Sequence, residues 1–526
     1  MSAARESKPL IVLCTLNARF IHASLGLRYL LANMGDLKAQ TTLREFTIAH
    51  RPQELVDELL ALLGAPQAGM AQIVGLGVYI WNVIQTTEVV RLLKAARPAV
   101  KVVLGGPEVS HEVDQQEIVR LADHVITGWG DVSFPRLCRA LLHGPQPLMK
   151  VIAGEQPPLH QIAQPYTEYS DADLAHRLLY VEASRGCPFK CEFCLSSLDK
   201  TAWAFDLDRF LDAMDGLYQR GARHFKFVDR TFNLRIDASV RILQFFLDRM
   251  TDDLFLHFEV VPDHLPDRLK AMIRQFPPGV LQLEIGIQSL NAEVQQRISR
   301  QQDNAKTEAN LRWLLRESRA HLHTDLIFGL PGETLESFAS GFDRLYALRP
   351  HEIQLGILKR LRGTLISRHT IEHAMVYDPA PPYTVQQTGA VDAATLKRFT
   401  RFARYWDLIA NSGRFKQSLA LLLATRPPSA FEAYRTFADW LWLRTERTCG
   451  LSPEVLIDAL FDYLSAGCDL PVQTVQEALL ADYQASGARG SPRSLKGWLA
   501  KLRAPEIHGG KPLARRQERH LTPTRL

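Results

Sequence analysis

Three cysteines crowd into eight residues of the stretch Ser-Arg-Gly-Cys-Pro-Phe-Lys-Cys-Glu-Phe-Cys, which places Cys187, Cys191 and Cys194 at C-x₃-C-x₂-C spacing. Thiolates so spaced can fold round one cube of iron and sulfide, a [4Fe–4S] cluster, and three protein ligands leave one iron open to a further molecule. A fourth cysteine would restrict the cluster to electron transfer, so the open iron is the chemical point. Gly186 lets the backbone approach closely, and Lys190 sets positive charge beside a cluster of net negative charge. The competing readings are a structural zinc site and a chance grouping. Structural zinc favours two C-x₂-C pairs, and no second pair exists here. Cys14, Cys138, Cys449 and Cys468 stand alone and read as small buried apolar residues. Seven cysteines, an odd number, argue for reduced thiols and against a disulfide framework.

The elements that must hold this triad follow from periodicity. A chain of 526 residues suggests about three domains. From 8 to 147, near-continuous apolar runs alternate with helical periods, the pattern of a parallel sheet covered on both faces and of a Rossmann-like domain. Residues 148–177 lack a period and read as a linker over the surface. From 178 to 375 six strand–helix units follow in series, which predicts a partial (β/α)6 barrel of the TIM type. Ligands in such folds sit at the carboxyl ends of the strands, and the triad follows the first of them. From 376 to 505 only helical periods remain, an all-α domain, and 506–526 is a basic tail expected to be solvated and mobile.

A net charge of +5 over this length is no nucleic-acid footprint. The group Arg401, Arg404, Trp406, Arg414 and Lys416 reads as a solvated helix face beside a buried stripe rather than an RNA-binding surface. No apolar run reaches the roughly 18 residues of a membrane span, and the N-terminal apolar run is too short for a signal peptide. A cytoplasmic protein without membrane or nucleic-acid partners is expected.

The triad after the first barrel strand, with FKFVDRTFN (225–233), LEIGIQSLN (283–291) and HTDLIFGLPGET (323–334), resembles the radical S-adenosylmethionine superfamily over roughly 175–365. The resemblance implies that the open iron chelates S-adenosylmethionine and that reductive cleavage gives methionine and a 5′-deoxyadenosyl radical. It implies methionine contact by Asp229, although Arg230 interrupts what is often an acidic pair. Glu284 and Gln288, four apart on one strand, should face the same barrel mouth. There they are candidates for ribose or carboxylate contact, with hydrogen bonding inside the barrel as the alternative. Glu259, a carboxylate in an apolar strand, needs a partner and is a further candidate. Gly329, Pro331 and Gly332 read as a tight turn.

Two glycine loops stand at strand ends of the first domain, GGPEVSHE (105–112) and GWGDVSF (128–134). Paired glycines let a bulky ligand approach the backbone, and no G-x-G-x-x-G follows the first strand. A Rossmann-like domain directly before such a barrel resembles the cobalamin-dependent branch of the superfamily. The resemblance implies cobalamin contact by Gly105, Gly106, Pro107, Glu108, Gly128 and Gly130. Trp129 and Asp131 depart from the usual Gly-Glu-Gly-Glu. The D-x-H-x-x-G pattern of a histidine cobalt ligand is absent. His22, one residue further from Gly26, is the candidate in the corresponding loop, and His111 a second. KRLRGTLI (359–366) and VYDPAPPYTVQQT (376–388) resemble a C-terminal domain of unassigned role in one subgroup, with the proline run as cavity cap or as rigid connector.

The function implied is methyl transfer from cobalamin to an unactivated carbon of a small-molecule or natural-product substrate, with an external electron donor such as flavodoxin or ferredoxin. The alternatives are a non-methylating radical reaction (ring closure, contraction or oxidation) and a non-catalytic cobalamin- and cluster-binding redox sensor.

Overall fold

Ile11–Asn17, the apolar run IVLCTLN, is buried along its whole length because helices cover both of its faces. In the computed structural model, which describes residues 10–66, 69–199, 201–488, 490–499 and 515–521, this strand is β1. It lies between β2 (Thr41–Thr47) and β3 (Ile73–Gly77) in a parallel sheet with β4 (Lys101–Gly105), β5 (His124–Thr127) and β6 (Val151–Ala153), in the order β2-β1-β3-β4-β5-β6. Alternate residues of the same strands serve two cores. Val12, Cys14, Val74, Leu76, Val102 and Leu104 meet Leu55, Leu59, Val89 and Leu93 on one face. Ile11, Leu13, Ile73, Val103 and Ile126 meet Leu27, Phe134, Leu137 and Leu141 on the other. The strand period of two thus makes both layers of the expected Rossmann-like domain.

The chain divides into two compact units. One comprises Met1–Arg230, Lys359–Ser367 and Asp378–Thr384; the other comprises Thr231–Leu358, Arg368–Tyr377 and Val385–Leu526. All six barrel strands expected from Leu178 onward are present. The first unit holds β7 (Leu179–Val181), a short antiparallel pair β8 (Ser184–Arg185) and β9 (Trp203–Ala204), and β10 (His224–Phe227), which pairs with β7 in parallel. The second holds β11 (Phe255–Val260), β12 (Leu281–Gln288), β13 (His321–Phe328) and β14 (Glu352–Ile357), all parallel, each joined to the next by at least one helix. Helices from Ala393–Ile409 to Val472–Ala485 complete the second unit. Trp406 is buried there against Phe342, Phe402 and Tyr434, so it belongs to a core stripe, and Arg404 pairs with Asp407.

Three expectations change. Residues 148–177 are not a surface linker: they supply β6, bury Leu159, Ile162, Tyr166 and Tyr169, and form the helix Asp171–His176. Arg28 reaches both Glu45 (2.9 Å) and Asp173 (2.8 Å), and Arg177 reaches Glu45 (2.5 Å), so buried ion pairs fasten that stretch to the sheet. The tail is not wholly solvated: Arg515–Leu521 is a helix. Arg516 pairs with Glu352 (2.7 Å), Arg519 donates to the Ser412 carbonyl, and His520 packs its ring 5.1 Å from that of His321. Lys511 and Arg525 lie outside the described residues. Cys14 and Cys138 are buried, as expected, but Cys449 is exposed. Among the described residues no helix is long and apolar enough to cross a membrane.

Candidate active site

The cysteine loop leaves β8 and returns through β9. Gly186 takes φ +87°, and a Cβ there would meet the Ala202 backbone nitrogen at 2.8 Å, so only glycine fits. Beyond it the Asp199 carbonyl accepts from Cys187 N–H (2.9 Å) and Cys191 O from Cys194 N–H (3.1 Å). Cys187 and Cys191 are buried and Cys194 half-buried. Burial pushes the Cys187 thiol up to about 11. Ligation demands the thiolate, so metal binding there releases a proton. Three thiolates and a tight glycine turn are the donor set a [4Fe–4S] cluster with one open iron requires.

Asp229, at the end of β10, is buried. Its carboxylate accepts from Ala183 N–H (3.0 Å) and the Ser184 hydroxyl (2.5 Å). Burial pushes it up to about 7 despite those two donors. In this structure it braces the strand that leads into the cysteine loop.

The two glycine loops of the first domain bound a cavity of about 300 Å³ whose lining includes Gly26, Gly77, Gly105, Gly106, Gly128 and Gly130, with Tyr79, Trp129, Asp131 and Arg185. At Gly106, φ +112°, a Cβ would fall 2.5 Å from the Val78 carbonyl oxygen, so the wall stands only with glycine. This backbone-walled, largely apolar cradle fits a bulky, amide-rich group such as cobalamin. Pro107 and Glu108 begin the short turn Pro107–Val109 and do not line the cavity. Glu108 is instead held by Arg362 (2.9 Å) and the Tyr383 hydroxyl, and Glu112 accepts from Arg360 (2.7 Å) and Arg362 (3.0 Å). The proline run therefore delivers Tyr383 to the 105–112 loop as an anchor. His22 is half-buried, shares a hydrogen bond between Nδ1 and the Tyr180 hydroxyl (2.7 Å), and does not line the cavity. The His111 ring packs against Gly363.

Sequence reasoning missed Arg185. It donates to both carboxylate oxygens of Asp131 (2.8 and 3.2 Å) and to Glu182 (2.7 Å), and it lies over the rings of Tyr29 (4.3 Å) and Trp129 (4.9 Å). Against a burial that disfavours its charge, Glu182 and Asp131 hold its pKa well above the ordinary value. Trp129 Nε1 donates to Asp199 (3.2 Å). The two departures from Gly-Glu-Gly-Glu are thus the residues that bind the cysteine loop, which was the available signal.

In the second unit the half-buried positions of β12 and β13 include Gln282, Glu284, Gln288, His323 and Asp325. Glu284 and Gln288 do share a face, since β12 alternates buried and half-buried residues, but a register shift lies between Gly286 and Gln288. Glu284 sits in mid-strand, hydrogen-bonded to His257 Nε2 (2.8 Å), whereas Gln288 ends the strand at φ +69° with Oε1 buried and not hydrogen-bonded among the described residues. Glu259 is half-buried on β11 at the register of Glu284. His323 lies between Gln354 (2.9 Å) and Asp325 (3.3 Å). Burial opposes its charge, yet Asp325, Glu352 and Glu284 raise its pKa. Glu333 of the turn after β13 is buried, accepts from Ser289 (2.6 Å), and is pushed up to about 7 by burial.

A parallel Rossmann-like sheet is followed along the chain by barrel strands that carry a three-cysteine loop. The B12 binding domain matches residues 11–138, the radical SAM superfamily residues 181–345, and a family described as a protein of unknown function (DUF4080) residues 371–518. The chain therefore carries a B12-binding domain followed by a radical SAM domain. The cofactors of such domains are a [4Fe–4S] cluster, S-adenosylmethionine and cobalamin. It is 24% identical over 325 residues to the cobalamin-dependent radical SAM methyltransferase TokK of Streptomyces tokunonensis, covering 54% of this chain and 47% of that protein. It is 23% identical over 311 residues to 2-(S-pantetheinyl)-carbapenam-3-carboxylate methyltransferase of Streptantibioticus cattleyicolor, covering 53% of this chain and 45% of that protein. The chain spans less than half the length of either. Its fold is similar to that of OxsB with aqua-cobalamin and S-adenosylmethionine bound (TM-score 0.61, 13% identity, 93% of this chain and 83% of that one). It is also similar to that of TsrM from Kitasatospora setae with cobalamin and a [4Fe–4S] cluster (0.52, 16%, 71% and 78%).

Proposed function

We propose that this protein is a cobalamin-dependent radical S-adenosylmethionine enzyme that transfers a methyl group to an unactivated carbon of a small-molecule or natural-product substrate. The observation that carries this reading is Arg185. Two residues before Cys187, it lines the glycine-walled cavity and is clamped by Asp131 of the loop that bounds it. When bound, the cluster supplies reductive cleavage of S-adenosylmethionine and cobalamin supplies the methyl group. An unactivated carbon offers no nucleophile, so both are needed.

The chain's own residues bind, orient and exclude water. Cys187, Cys191 and Cys194 hold the cluster; Asp199, Asp229 and Arg185 fix their loop; Gly106 and Gly128 open the cobalamin cavity. A flavodoxin or ferredoxin serves as electron donor. The test is anaerobic incubation with methyl-deuterated S-adenosylmethionine, cobalamin, a low-potential reductant and a small-molecule extract. The expected result is 5′-deoxyadenosine together with a product carrying labelled methyl. Deoxyadenosine without labelled product would mean a non-methylating radical reaction, and no deoxyadenosine at all would mean a sensor.

A further inference from the structure

His369, Glu372 and His373 lie in the stretch between β14 and the two-residue strand Val376–Tyr377, and the function above makes no use of them. His373 N–H donates to the His369 carbonyl at 3.0 Å, which closes a single helical turn. Residues i, i+3 and i+4 of such a turn share one face. One ligand atom from each of the three lies within 4.8 Å of the others. We propose that these residues form a second metal site, distinct from the cysteine cluster, which binds one divalent zinc ion.

Two imidazoles and a carboxylate are the donor set of an open tetrahedral zinc site, and nitrogen donors disfavour magnesium and calcium. Zinc bonds of about 2.0–2.1 Å bring tetrahedral donors to about 3.3 Å of one another, a closure that small side-chain rotations provide. His373 Nε2 is buried and has no hydrogen-bond partner among the described residues; Glu372 Oε1 stands 3.7 Å from it, and a cation held between the two satisfies both. His369 is buried and Glu372 exposed, so the site opens to solvent on the carboxylate side. Arg368 Nε stands 3.4 Å from His369 Nε2, and a cation bound through that nitrogen takes the place of this long contact. Three protein donors leave a fourth position for water or a substrate oxygen.

The experiment is an anaerobic zinc titration of the full-length, cluster-reconstituted protein against a chromophoric chelator, with zinc-edge X-ray absorption of the product. One zinc per chain is expected in addition to cluster iron, in a shell of nitrogen and oxygen only. His369→Ala and His373→Ala should remove it. Glu372→Gln, at an exposed position that does not threaten the fold, removes the charged donor and should weaken binding by at least about 10-fold, the least that loss of a partner to a zinc ligand costs. Zinc uptake by Glu372→Gln and His373→Ala equal to that of the unaltered protein, or a sulfur shell around the zinc, would overturn the proposal.

Discussion

Asp131 and Arg185 are joined by two parallel hydrogen bonds, at 2.8 and 3.2 Å, in a pair whose side chains are 7% and 14% exposed. One residue bounds the glycine cavity and the other opens the cysteine loop, so the 128–134 glycine loop and the cysteine loop of the first unit share a buried charge pair. Removing one partner of such a pair strands the other and costs about 3–5 kcal/mol. Arg185→Ala strands both Asp131 and Glu182 and should lose that full amount in chemical denaturation. Asp131→Ala leaves Arg185 its bond to Glu182 and should lose about half as much. Both variants should also bind less cobalamin and less iron. Equal and negligible losses would show that the pair is incidental.

Gly106 gives a sharper steric test. Its positive φ and the 2.5 Å approach of a Cβ to the Val78 carbonyl both forbid a side chain. Gly128 also has a positive φ, +73°, but open space around it. Gly106→Ala should therefore destabilise by about 2–4 kcal/mol and abolish cobalamin retention, whereas Gly128→Ala should cost about 1 kcal/mol. Thermal melts and cobalamin absorbance of the purified proteins distinguish the two.

Glu333 sets a pH dependence. Burial raises its folded pKa to about 7 from an ordinary 4.5. The folded state therefore binds the proton more tightly than the unfolded chain. This contribution to stability is complete below pH 4.5 and is lost as pH rises through about 7. Glu333→Gln keeps an acceptor for Ser289 and removes the titration. Its stability should fall less between pH 4.5 and 7.5 than that of the unaltered protein, by an amount on the order of 2 kcal/mol. Parallel slopes in urea midpoints across that range would contradict the assignment.

Much of the fold was legible because its strands are simple. β1 and β3–β5 are apolar runs covered on both faces, and the barrel strands alternate visibly. What escaped was short or depended on distant partners. β6 has three residues at a sheet edge, none of them fully buried, too little for a period to register. Arg516 and Arg519 look solvated until Glu352, Asp407 and the Ser412 carbonyl are brought to them. At the site, the cysteine spacing and the glycine loops were readable as local patterns. The partners Arg185–Asp131, Glu284–His257 and Glu108–Tyr383, separated by 54, 27 and 275 residues, were not. The face shared by Glu284 and Gln288 followed from alternation, but the register shift at the end of β12 did not.

The most direct test of the central claim is deoxyadenosine formation by the reduced, cluster-reconstituted protein supplied with S-adenosylmethionine, measured beside Cys191→Ala. The expected result is about four irons per chain and steady 5′-deoxyadenosine release for the unaltered protein, as a [4Fe–4S] cluster with an open iron requires, with both lost in the variant. Full iron content and undiminished cleavage in Cys191→Ala would contradict the assignment of the cluster to this loop.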